Sequence, residues 1–87
     1  MVYRIEFIKR AAKELKALPL DIQLQLKPKI DALAENPRPP GVIKLEGEDN
    51  AYRLRVRDYR LVYEIYDDRL VISVVRVGHR REVYRRL

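Results

Sequence analysis

The chain has 87 residues, enough for one domain folding on a single core with little area to spare. It contains no cysteine, which excludes disulfide staples and thiolate chemistry and suits a reducing compartment. Nineteen Lys and Arg against thirteen Asp and Glu give a net charge of +6 and a sequence pI near 9.8, which favours polyanionic partners.

No apolar run approaches the roughly eighteen residues needed to span a bilayer. Nor does a charged region followed by an apolar one open the chain, so a cytoplasmic location is the expectation.

Residues 2–7 alternate, with Tyr3, Ile5 and Phe7 on one side and Arg4 and Glu6 on the other, as in a half-buried strand. From Ile8 the period lengthens. Ile8, Ala11, Ala12, Leu15 and Leu18 form a stripe at helical spacing, ringed by Lys9, Arg10, Lys13 and Lys16. Pro19 separates this helix from a second, over residues 20–35, with Asp21 in its first turn and Ile22, Leu26, Ile30 and Leu33 as its buried stripe. Pro28 removes a backbone donor inside that helix and predicts a kink or a split.

The run NPRPPG over residues 36–41 cannot continue a helix and reads as a stiff connection between layers. A short strand over residues 42–46 and a polar loop follow. Residues 50–62, NAYRLRVRDYRLV, then place Tyr52, Leu54 and Val56 on one side of a strand and Arg53, Arg55 and Arg57 on the other. The chain turns near Asp58 and offers Arg60. A loop at Arg57 and Asp58 sets Arg60 opposite Arg55; a loop at Asp58 and Tyr59 sets it opposite Arg57. Arginine faces arginine in both registers. Such a pair is destabilising by up to about 1 kcal/mol, so the compensating negative charge is expected from outside the fold.

A second two-residue turn at Asp67 and Asp68 would pair Ile65 with Leu70, Tyr63 with Ile72 and Leu61 with Val74. The order is then β-α-α-β-β-β: an α+β fold in which an antiparallel sheet carries a two-helix hairpin on its apolar face. The other face is basic and open, presenting Arg53, Arg55, Arg57, Arg60, Glu64 and Ser73. A tail with the only histidine, His79, and with Arg80, Arg81, Tyr84, Arg85 and Arg86 follows Gly78, where the backbone can turn sharply over the rim of that face.

The run YRLRVRDYRLVY over residues 52–63, followed by VGHRREVY over residues 77–84, resembles the RelE branch of the RelE/ParE toxin superfamily. The resemblance extends over residues 1–87 as one RelE-like toxin domain. It implies the toxin of a type II toxin-antitoxin system, an endoribonuclease that cuts messenger RNA in the ribosomal A site and is silenced by a RelB-like antitoxin. It also implies cleavage residues at Arg53, Arg55, Arg60, Arg80 and Tyr84, with His79 at a position often basic or histidine. Relatives often carry lysine at the positions of Arg53 and Arg55, one of them given a proton-accepting role. Arginine keeps its proton in proteins, so it cannot be that base.

Cleaving RNA by attack of its own 2′-hydroxyl requires a base, an acid and cations to hold the phosphorane. Arg53, Arg55, Arg60 and Arg80 suit the last task as planar, bidentate phosphate binders. His79 and Tyr84 compete for proton transfer and base stacking. Lys44, Arg57, Arg81 and Arg85 are the expected flanking RNA contacts. No metal cluster, phosphate-cradling glycine loop or nucleophilic triad is present, so neither metal nor cofactor is expected. Two other functions fit the same residues: a ParE-like inhibitor of DNA gyrase, and an RNA-binding module without catalysis. An antitoxin segment is expected to cover the basic face or displace the tail.

Overall fold

A computed structural model describes residues 2–79. Seven elements follow in the order β1 (Arg4–Phe7), α1 (Lys9–Lys16), α2 (Leu20–Leu33), β2 (Ile43–Lys44), β3 (Ala51–Val56), β4 (Tyr59–Tyr66) and β5 (Val71–His79). The strands form one sheet in the order β1-β5-β4-β3-β2. β2 to β5 are antiparallel neighbours, while β1 runs parallel to β5, so the sheet is mixed rather than purely antiparallel. The helical hairpin between β1 and the rest of the sheet allows that parallel placement.

The apolar stripes build the core as their spacing predicts. Ile22, Leu26, Ile30 and Leu33 of α2 and Ala11 of α1 are buried against Leu54, Val56, Leu61, Tyr63, Ile65, Ile72, Val74 and Val77 of the sheet. Leu15 and Leu18 pack at the margin, whereas Ile8 is 42% exposed. Gln23 Nε2 reaches back from α2 and donates to the Leu18 carbonyl at 2.9 Å, satisfying the chain just beyond α1 and fixing the helix-to-helix turn.

Pro28 does not split α2, which runs unbroken from Leu20 to Leu33. Pro28 and Leu24 both lie on its exposed side, where the carbonyl deprived of its partner can turn to water.

The β4–β5 register departs from the expected one. The turn takes four residues, 67–70, with Leu70 in the left-handed region at φ 54°, so Ile65 pairs with Ile72 and Tyr63 with Val74. An irregularity between Val62 and Tyr63 then inserts an extra residue in β5, and Leu61 pairs with Val77.

Two tyrosines and an arginine lock the stiff connection onto the sheet. The buried Tyr63 hydroxyl donates to the Pro37 carbonyl at 2.7 Å. Arg38 pairs with Asp67 at 2.8 Å, donates to the Tyr52 hydroxyl at 3.1 Å, and lies 5.4 Å from the centre of the Tyr52 ring. Tyr3 donates to the same Asp67 carboxylate at 2.5 Å. β1, the connection and the β4–β5 turn therefore meet at one carboxylate.

Candidate nucleic-acid interface

The β3–β4 hairpin closes with Val56 paired to Tyr59, leaving Arg57 and Asp58 as the two-residue loop. Arg57 sits at φ 55°, in the left-handed region that a tight hairpin turn demands. This selects one of the two expected registers: Arg55 lies opposite Arg60. Directly paired residues share a face of the sheet. Arg53 is paired with Val62, and Val62 with Arg76, while Arg60 is also paired with Gly78. Two register rows thus cross the sheet, Arg53–Val62–Arg76 and Arg55–Arg60–Gly78; Arg53, Val62, Arg55 and Arg60 lie on the face turned away from the core, whereas the Arg76 guanidinium reaches Glu14 of α1.

The two facing arginines differ in their surroundings. Arg55 is exposed and donates to the Arg57 carbonyl at 3.3 Å, whereas Arg60, on a strand with neighbours on both sides, is only 7% exposed. Arg60 was expected to be open to solvent; its place between β3 and β5 buries it. Glu64 and Ser73 also share this face, and Glu64 accepts from the Tyr66 hydroxyl at 2.5 Å, which raises that hydroxyl above the usual tyrosine range.

Three expected site residues stand elsewhere. Arg57 leaves the row because its left-handed backbone turns it toward α2, where it approaches Asp21 at 4.0 Å. Lys44 is paired with Tyr52, a helix-side residue, so it shares the helix face rather than the arginine face. His79 is paired with Tyr59, and the two rings meet edge to face at 5.5 Å. Tyr59 packs against the core, so the imidazole sits on the helix side of β5, across the sheet from Arg55 and Arg60. Arg80, Arg81, Tyr84 and Arg85 lie outside the described residues.

Arg76 was missed. A straight hairpin register hides it, and only the extra residue in β5 brings it level with Arg53. It forms an ion pair with Glu14 of α1 at 3.2 Å.

Comparison with known proteins bears on the same scaffold. The family model of the ParE toxin of the type II toxin-antitoxin system parDE matches residues 5–84. The chain is 39% identical to the mRNA interferase toxin RelE of Escherichia coli K12, over 97% of this chain and 92% of that protein. The chain belongs to the RelE/ParE toxin family. It is also 33% identical to the putative toxin RelE1 of Methanocaldococcus jannaschii, over 98% of both chains. Among solved structures, isolated E. coli RelE matches with TM-score 0.82 at 38% identity, covering 94% of this chain and 90% of that one. The toxin in the archaeal RelE–RelB complex of Pyrococcus horikoshii matches with TM-score 0.80 at 33% identity, covering 92% and 97%. Among the described residues, no helix of this family member is long and apolar enough to cross a membrane.

Proposed function

We propose that this chain is the toxin of a type II toxin-antitoxin system and an endoribonuclease that cuts messenger RNA on the ribosome, in the cytoplasm. The observation that carries this reading is the Arg55–Arg60 pair, with Arg53 on the same face of the sheet. Two arginines at one register position on neighbouring strands put two planar, bidentate phosphate binders on one face of the sheet. The named activity of the E. coli relative supports the same chemistry.

In this reaction Arg53, Arg55 and Arg60, with Arg80 from the tail, neutralise the charge that builds on the phosphorane as the 2′-oxygen attacks. None of them removes the proton. The helix-side position of His79 favours Tyr84 over His79 for proton transfer. Arg81 and Arg85 add phosphate contacts. A RelB-like antitoxin is the silencing partner, in keeping with the solved complexes of relatives; an acidic segment of it would satisfy the arginine face in place of RNA.

The family model's name favours a second reading, inhibition of DNA gyrase. Brief expression followed by primer extension on abundant messages separates the two. New 5′ ends within translated codons are expected, with supercoiling by purified gyrase unaffected. Intact messages together with blocked supercoiling would transfer the assignment to gyrase.

A further inference from the structure

β1 pairs with β5 only as far as Val74, and the Ile8 amide donating to the Val74 carbonyl at 3.1 Å is the last rung between them. Beyond it, among the described residues, no strand pairs with the outer edge of β5, although this stretch carries Gly78 opposite Arg60. An exposed strand edge with unsatisfied amides frays or pairs elsewhere. Here α1 closes it with one side chain. Glu14 Oε1 accepts the Val77 backbone N–H at 2.8 Å, and Glu14 Oε2 accepts Arg76 Nε at 3.2 Å. Arg10 Nε lies 3.4 Å from the same oxygen, one helical turn before. The carboxylate is 23% exposed and Arg76 12%, so the latch is largely shielded from water. Contacts to an ionised acceptor are the stronger class of hydrogen bond.

We infer that Glu14 is a positioning residue for message cleavage: it takes the place of a strand beside this stretch of β5 and holds Gly78 in register with Arg60. The inference rests on the ribonuclease reading above. Glu14 acts through the backbone of Val77 and the side chain of Arg76. Both contacts to β5 depend on the reach of this side chain. A carboxylate one methylene shorter keeps the charge and loses the reach; an amide of equal length keeps an acceptor for the Val77 N–H and loses the charge.

The test is single-turnover and steady-state cleavage on purified ribosomes programmed with a defined message, using the full chain as wild type, Glu14→Asp and Glu14→Gln. Melting curves taken alongside establish that each variant is folded. Glu14→Asp is expected to lower kcat about tenfold or more, since small displacements of reacting groups are that costly, with KM unchanged. Glu14→Gln, which keeps the acceptor for the Val77 N–H but sets an NH2 against Arg76 Nε, is expected to lose less than Glu14→Asp, under tenfold in kcat. A purely electrostatic role gives the opposite ranking, with the change in KM, and would overturn the inference, as would a folded Glu14→Asp that cuts at the wild-type rate. If Glu14→Asp does not fold, a Glu14→Gln variant with kcat lowered tenfold or more overturns it, and one lowered by less upholds it. Should the wild-type chain leave the message intact, the ribonuclease reading itself fails and the inference falls with it.

Discussion

The two ends of the sheet use arginine in opposite ways. At the end where the 36–41 connection meets the β4–β5 turn, Arg38 is given everything within the chain: the Asp67 carboxylate, the Tyr52 hydroxyl and the Tyr52 ring. At the hairpin end, Arg55 faces Arg60 across neighbouring strands. The first arrangement ties three segments together and serves stability. The second sets like charges at one register position and, in the proposed reading, serves a ligand. Net charge alone could not have distinguished them; register does.

If that division is right, substitutions at the two ends should separate activity from stability. The largest effect is expected for Arg60→Ala, which should lower cleavage on ribosomes by about a hundredfold or more, the usual cost of removing a donor aimed at developing charge. Arg60→Lys should recover only part of it, because an ammonium cannot reproduce the bidentate fork.

Next is Tyr63→Phe at the opposite end. It leaves the Pro37 carbonyl without its donor and should cost about 1 kcal/mol. In a chain of this size that lowers the melting temperature by about 4–8 °C, with cleavage per folded molecule unchanged. Burial pushes the Tyr63 hydroxyl up to about 12 from its ordinary 10.0. The unfolded chain therefore ionises first, and stability falls as pH rises from about 10 to about 12. Urea titrations in that window should show a shallower fall for Tyr63→Phe.

A smaller effect is expected for Asp67→Asn. Arg38, and then Tyr3, hold the Asp67 carboxyl below the usual carboxylate range. Its contribution is thus present above that range and fades as pH falls through the lowered value. The wild-type advantage over Asp67→Asn in melting temperature should be seen at neutral pH and vanish in strong acid. Smallest of all is Lys44→Ala. Lys44 stands on the helix face of the edge strand, and cleavage and its salt dependence should stay near wild type.

What could be read from sequence followed from local rules. Period-two alternation placed Arg53 and Arg55 together, and a two-residue loop permitted only two positions for Arg60. The helical stripes named the buried residues of α2 because 3.6-residue spacing is a property of the chain itself. Elsewhere the deciding interactions were distant in sequence. Leu70 occupies a left-handed turn position with no glycine or asparagine to announce it, and the extra residue in β5 carries no turn signal. Together they shifted the last strand, hid Arg76 and Gly78 from their partners in the arginine rows, and put His79 behind the sheet. The parallel pairing of β1 and the Glu14 latch depend on how α1 crosses the sheet, which only the folded chain determines.

The separation between the two ends is tested most directly by cleavage of a defined message on purified ribosomes, comparing wild type, Arg60→Ala and Asp67→Asn with melting curves for each. The account predicts that Asp67→Asn cuts like wild type though less stable, while Arg60→Ala is folded and nearly inert. An Arg60→Ala variant that is folded and cuts at the wild-type rate would contradict it.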